Sequence, residues 1–320
     1  MKSRFALVAV LLLLAVSCFS QAVPAPTTPT FSKMFAPYVD MGKLATPLPQ
    51  VMKDSGIQYF TLAFIQSQGC TPTWVPSIPM AEEKVFGKYI DQIRAAGGDV
   101  IIAFGGYDGT DIAQGCTDPV TLQAAYQSVV DKYKAKILDF DVEHLAVEDP
   151  VSIDRRSIAL KALAAANPGL QINYTLPATP QGLTRESMNV VTSAVKYGTP
   201  VTIVNLMTMD YGYPVANGAM GVNSVSAVGA AWAQLKSAGL TARLGVTPMI
   251  GTNDTTTETF TLSDAQAVLA FAQANPNMVG LLTFWSVGRD NGGCKAVVSP
   301  TCSGIEQKTW EFSHIFAAFR

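Results

Sequence analysis

The chain has 320 residues, of which 48% are apolar and 14% charged, and its formal net charge is −2. That is enough apolar chain for one sizeable core, and a mildly acidic balance gives no electrostatic footprint for nucleic acid or an anionic membrane. No charge-rich or low-complexity block interrupts it, and an uncharged polymer such as a sugar chain is compatible with it.

The N-terminus reads as an export signal. Lys2 and Arg4 form a basic region, Phe5 to Val16 an apolar one, and Ser20-Gln21-Ala22 places small residues at the −3 and −1 positions of a cleavage site. Residues 1–22 are therefore predicted to be a signal peptide, which makes the mature chain secreted. The apolar run is too short to span a bilayer, and no later segment is long and apolar enough. A competing reading takes Ala15-Val16-Ser17-Cys18 as a lipoprotein box with Cys18 lipidated. Residues 23–32 form a short Pro/Thr-rich leader, and one domain is predicted over 33–320, acting as a monomer.

Either processing route leaves four cysteines, an even number that suggests disulfides in an exported chain. Cys294 and Cys302 are close in sequence and are expected to close a loop, leaving Cys70 to pair with Cys116. Four cysteines allow three connectivities. No metal is expected, because there is no Cys-x-x-Cys spacing and His144 and His314 are the only histidines. No cofactor is implied.

Eight apolar runs of strand length follow in order: Met34–Asp40, Tyr59–Ile65, Val100–Gly106, Ile137–Glu143, Leu170–Leu176, Val201–Tyr211, Arg243–Ile250 and Gly280–Val287. They are short, rich in β-branched and aromatic residues, and nearly continuous in apolarity, as parallel strands buried on both faces are. Helical spacing marks Ala81–Ala96, Pro119–Ala135, Ile153–Ala166, Arg185–Tyr197, Val225–Ala238, Leu262–Ala274 and Trp310–Phe319, with a shorter helix over Leu48–Ser55. Asp118-Pro119 is a helix start, Ser263 to Gln266 reads as a capping box, and Gly97-Gly98 and Gly239 fit helix ends. Eight β-then-α units predict a single α/β domain, a (β/α)8 TIM barrel. No Gly-x-Gly-x-x-Gly turn follows the first strand, which argues against a doubly wound sheet.

The strongest local signal is Leu138-Asp139-Phe140-Asp141-Val142-Glu143 on the fourth strand. Side chains alternate faces along a strand, so Asp139, Asp141 and Glu143 share the inner face at spacings of about 6–7 Å. Three carboxylates packed together cannot all ionise freely, and desolvation raises their pKa values further. A proton should stay in the row near neutral pH, as a general acid requires. Glu143 lies nearest the C-terminal end of the strand, where barrel enzymes keep their chemistry. Solvated acids on an exposed edge strand are the plain alternative, and a closed barrel has no such edge.

This segment resembles the Asp-x-Asp-x-Glu core of glycoside hydrolase family 18, the chitinases. Ala103-Phe104-Gly105-Gly106 resembles the family's Ser-x-Gly-Gly on the third strand, Met207 to Tyr211 its sixth-strand Met-x-Tyr-Asp segment, and Phe284-Trp285-Ser286 its eighth-strand tryptophan. The resemblance covers nearly the whole mature chain and is closest to an archaeal and bacterial branch. The chain departs from the pattern at Lys136, where the family has another Asp, at Ala103, where it has Ser, and at Met209, where many members have a tyrosine that holds the acetamido group. Tyr211 is the candidate to supply that hydroxyl. The resemblance implies hydrolysis of chitin or other N-acetylglucosamine oligosaccharides with retention, in which the substrate's own acetamido oxygen is the nucleophile. Glu143 is then the acid, Asp141 orients the acetamido N–H, and Asp139 shares a proton with Asp141.

Further candidates for sugar contact are Trp285 as an aromatic floor, Asp210 and Tyr211 at the end of the sixth strand, Met207 lining the pocket, Asp254 after the seventh strand, and Tyr38 at the end of the first. For Tyr38 and for Tyr174, core packing is the competing role. Asp254 serves equally as a turn cap. His144 faces away from Glu143 and is read as structural, and Trp74 as either an outer subsite or a surface aromatic. Rival functions are an endo-β-N-acetylglucosaminidase acting on N-glycans, a non-catalytic chitin-binding relative, and a two-lobed sugar-binding protein. The intact Glu143 argues against the second, and the missing mid-chain linker against the third.

Overall fold

A computed structural model describes residues 33–319 except 76, 213, 214, 216, 217 and 256. The expected signal peptide, Cys18 and the whole leader lie outside the described residues. Parallel pairing runs around a closed barrel. The first strand, β1, is in two pieces, Met34–Phe35 and Tyr38–Asp40, and the others are β2 (Tyr59–Gln68), β3 (Asp99–Gly105), β4 (Ile137–Asp141), β5 (Gln171–Thr179), β6 (Val201–Met207), β7 (Arg243–Thr247) and β8 (Val279–Leu282). Each pairs with its neighbour in sequence, and the first piece of β1 closes the circle by pairing Met34 with Leu281. The helices α1 (Leu48–Ser55), α2 (Phe86–Ala95), α3 (Pro119–Tyr133), α4 (Pro150–Ala166), α5 (Arg185–Tyr197), α6 (Met220–Ala238), α7 (Leu262–Ala274) and α8 (Glu311–Phe316) surround it. The TIM barrel read from the sequence is the fold.

Local chemistry sets the ends of these elements, and it moves several of the expected boundaries. Asp118 caps α3 by accepting the Thr121 N–H at 2.8 Å, with Pro119 in the first turn. The capping box of α7 is Thr261 with Asp264 rather than Ser263 with Gln266, because the Thr261 and Asp264 side chains each accept the other's backbone N–H. Helix α2 begins at Phe86 rather than Ala81. The buried Glu83 carboxylate accepts the N–H groups of Val85, Phe86 and Gly87 and starts the helix there. At the C-terminus α8 spans Glu311–Phe316 and starts one residue later than expected, since Trp310 takes a left-handed φ of 65° and the buried Asp290 carboxylate accepts the Phe312 and Ser313 N–H groups. Strand β6 stops at Met207 because the chain turns through positive φ at Asp210 (50°) and Gly212 (81°).

The barrel interior is layered. Met34, Ala36, Ile101, Ile137, Ile203 and Leu281 form an apolar floor at the N-terminal end. Above it come polar side chains from β4, β5 and β6, and the acids lie toward the C-terminal mouth. Outward-facing Phe140 stacks on Phe104 at 5.0 Å and meets Tyr126 edge-on at 5.1 Å under the helices. Among the described residues, no helix is long and apolar enough to cross a membrane.

Both expected disulfides are present. Cys70–Cys116 ties the hairpin after β2 to the short helix Ile112–Gly115, and Cys294–Cys302 closes a loop after β8. The first spans 46 residues and the second 8, so chain entropy gives about 4 kcal/mol for the longer loop against about 2.5 for the shorter. Thermal unfolding of Cys70→Ser/Cys116→Ser is therefore expected to fall clearly below that of Cys294→Ser/Cys302→Ser, and equal midpoints would refute this ranking.

Candidate active site

The side chains of β4 deliver the acids in a graded series of environments. Asp139 is 2% exposed and is caged by hydroxyls. Tyr38 donates to its Oδ2 at 2.7 Å and Thr175 to its Oδ1 at 2.8 Å. The two hydroxyls lie 2.8 Å apart, and Asn205 donates to the Thr175 oxygen at 3.0 Å. Burial pushes the Asp139 carboxyl up to about 6 while the two hydroxyl bonds pull it down. Burial and the charges of Asp139 and Asp141 push the Tyr38 phenol well above its usual range, which keeps it a donor.

Asp141 is also buried, and its Oδ1 has no hydrogen-bond partner among the described residues. Burial, then Glu143, Asp139 and Asp111, push its pKa well above the ordinary carboxylate value. Strand pairing ends here, and Glu143 lies two residues further on, half-buried at the mouth. Burial, then the charges of Asp210 and Asp108, raise the Glu143 pKa to about 7. At neutral pH the row thus holds protons, with Glu143 poised to give or take one.

Close backbone packing makes room for this row. The Gly106 N–H donates to the Asp141 carbonyl at 3.2 Å. A Cβ on Gly105 would sit 2.0 Å from that carbonyl oxygen, and one on Gly106 would sit 2.6 Å from the Phe64 ring. Both glycines also hold φ near +90°, so the Gly-Gly pair is required twice over.

Trp285 is half-buried over this centre. Its ring stacks on Phe64 at 5.7 Å and 14°, and it meets Tyr38 at 6.0 Å. The Ala63–Phe64 and Trp285–Ser286 peptide bonds are cis. Met207 is buried at the end of β6. Asp210 and Asp254 are exposed on the loops after β6 and β7, and Asp210 Oδ1 accepts the Thr255 N–H at 2.7 Å. Partial desolvation of the carboxyl, then the charge of Asp254, raise the Asp210 pKa, with the Thr255 hydrogen bonds and Arg289 acting against them.

Other sequence candidates sit elsewhere. The Tyr38 hydroxyl points at Asp139, not into open space. The Tyr211 hydroxyl is buried beside Ser224 and Thr208, away from the mouth, so it does not replace the hydroxyl missing at Met209. Tyr174 is fully buried on the outward face near Phe140 and Arg156. Trp74 is neither a subsite nor a surface residue: it is 0% exposed and donates to the Tyr133 hydroxyl at 2.8 Å. His144 is exposed and stacks on Tyr107 at 4.8 Å, with a φ of 50° that turns the chain away from the strand.

The sequence reading missed Thr175, Asp108, Arg289 and Glu258. Thr175 sits in register with Asp141 on β5, and only its strand parity hinted at an inward side chain. Buried Arg289 donates to the Ile250 carbonyl at 3.0 Å and to that of Thr252, and burial brings its pKa down to about 10.

In sequence and fold the chain is similar to known chitinases. No family model matches the chain. A probable bifunctional chitinase/lysozyme of Escherichia coli K12 is 37% identical over 313 residues, covering 89% of this chain and 34% of that protein. Endochitinase 11 of Metarhizium anisopliae is 36% identical over 277 residues, covering 80% and 52%. The chain thus spans about a third and about half of these two relatives. The catalytic domain of a hyperthermophilic chitinase from Pyrococcus furiosus superposes with a TM-score of 0.80 at 36% identity, covering 90% of this chain and 94% of that one. Catalytic-site mutants of active domain 2 of that thermostable chitinase, complexed with chito-oligosaccharides, superpose equally well, with a TM-score of 0.80 at 35% identity. The chain belongs to the glycoside hydrolase family 18 chitinases.

Proposed function

We propose that this protein is an exported, monomeric chitinase that cleaves β-1,4-linked N-acetylglucosamine polymers by substrate-assisted hydrolysis with retention. The observation that carries the reading is Glu143: a half-buried carboxyl at the mouth, raised to about 7, at the end of a proton-holding row. Glu143 gives its proton to the glycosidic oxygen as the bond to the anomeric carbon breaks. The acetamido carbonyl oxygen of the same sugar bonds to that carbon, forming an oxazolinium ion. Asp141, with Oδ1 unpartnered, accepts the acetamido N–H and steadies the positive charge, and Asp139 takes part in holding the shared proton. Water then attacks the anomeric carbon and returns a proton to Glu143. Trp285 supplies a flat apolar surface under the sugar ring. The Pyrococcus domain's complex with chito-oligosaccharides supports a carbohydrate ligand for the matching region. Export rests on the sequence signal over residues 1–22.

Glu143→Gln keeps the shape but loses the transferable proton, so turnover of chitin oligomers is expected to drop about 10³-fold with sugar binding retained. Product sizing against a high-mannose glycopeptide measures both the activity and the preference for chitin. A fully active variant would sink the assignment of the acid.

The raised carboxyls also carry a stability signature. Asp141 has a folded pKa above its unfolded value of about 3.9. The folded state therefore binds more protons above pH 4, and this group's contribution to stability declines as pH rises from there through the folded pKa. Asp141→Asn should accordingly melt higher than the wild type at pH 8, with the gap narrowing toward pH 4. Melting curves showing a gap that widens in acid would contradict this.

If the acetamido group is the nucleophile, the sugar on the non-reducing side of the cut must be N-acetylated. Partially deacetylated chitosan should be cut only after N-acetylated units, and a stable thiazoline mimic of the intermediate should inhibit. Sequencing the new reducing ends decides it: frequent cleavage after glucosamine, with no thiazoline inhibition, would require a different nucleophile.

A further inference from the structure

The loop after β7 is built around a buried carboxylate that the chemistry above does not use. Glu258 is 0% exposed. Its Oε1 accepts the Gly212 N–H at 2.8 Å, and the Tyr211 and Asp210 N–H groups are directed at the same carboxylate. A second contact comes from the same loop, the Thr255 N–H on Asp210 Oδ1 at 2.7 Å. The loop is itself braced: the Glu258 N–H donates to the Thr255 carbonyl at 2.8 Å, the Asn253 N–H donates to the Glu258 carbonyl at 3.1 Å, and Arg289 holds the Ile250 and Thr252 carbonyls. On the other side, Asp210 has a φ of 50°. That is the left-handed region, which Asp can enter as a single residue, and the Glu258 and Thr255 contacts hold the chain in it.

We propose that Glu258 is a positioning residue for the general acid: together with the Thr255 N–H it clamps the loop after β6 in its left-handed kink and so keeps the Asp210 carboxylate beside Glu143. The proposal rests on the reading of Glu143 as the acid. The charged groups facing Glu143 are Asp108, Asp141 and Asp210, and those facing Asp210 are Asp254, Arg289 and Glu258. Of the three acids around Glu143, only Asp210 sits on the clamped loop. What matters is the reach of Glu258, not its charge.

Two variants separate reach from charge. Glu258→Asp keeps the charge but withdraws it by one methylene. Glu258→Gln keeps the reach and an acceptor oxygen but removes the charge. The readout is the titration of the Glu143 carboxyl by NMR in protein carrying isotope-labelled glutamate, assigned with Glu143→Gln and read alongside thermal unfolding. In Glu258→Asp the Glu143 midpoint should fall by about half a unit or more as Asp210 moves away, and in Glu258→Gln it should stay where it is. If Glu258→Asp does not fold, Thr255→Pro, which deletes the N–H on Asp210, must lower the midpoint instead. An unmoved midpoint, a shift of the same size in Glu258→Gln, or a lowered melting temperature with no shift overturns the proposal. The titration needs no turnover, so a wild type inactive on chitin oligomers would defeat the functional reading and leave this test intact.

Discussion

Three carboxylates on one short stretch of chain, two of them buried and the third half-buried, are the constraint on which the rest of the site depends. Charging all three would cost several kcal/mol of desolvation and mutual repulsion. The barrel meets this by giving each acid a different surrounding. Asp139 lies deepest and is held by two hydroxyls, Tyr38 and Thr175. Asp141 keeps one oxygen without a protein partner. Glu143, past the last ladder pair, reaches the mouth. Solvation by protein thus declines, and access from outside grows, along a single strand.

The neighbouring strands are shaped to that row. Strand β3 reaches the Asp141 carbonyl so closely that only glycine fits at position 105. Strand β1 contributes the Tyr38 hydroxyl, and β5 contributes Thr175. The residue opposite Asp139 on β3 is Ala103, which carries no hydroxyl. The hydroxyl cage of Asp139 is accordingly built from the β1 and β5 sides. Around the mouth, the loops after β6 and β7 are locked to each other by Glu258 and Thr255, and the loops after β2 and β3 by the Cys70–Cys116 bridge. The acid row therefore sits between two braced rims, and exposed acids on both rims, Asp108 and Asp210, add to the field at Glu143.

Much of this was legible in the sequence, because it depends on local periodicity. Eight buried apolar runs alternating with helical patterns can close in few ways, so the barrel followed from order and length alone. Strand parity placed Asp139 and Asp141 on one face, and the even cysteine count with a short Cys294–Cys302 spacing pointed to the observed pairing. Element ends were less legible. The starts of α2 and α8 are set by Glu83 and by Asp290, and neither carboxylate announces which N–H groups it will accept.

Side-chain roles that depend on distant partners were decided only by the tertiary structure. Tyr38, read as a sugar contact or as core packing, is a donor to Asp139, 101 residues away. The Tyr211 hydroxyl is buried beside Ser224 and Thr208. Trp74 became core because the hairpin carrying it folds over Tyr133. Glu258 carries no pattern at all, since a loop carboxylate acquires its meaning only when another loop brings N–H groups to it. Which residues share a face could be read from the order of residues alone, because backbone geometry makes that periodic. The structure decided which faces meet, because long-range packing has no period to read.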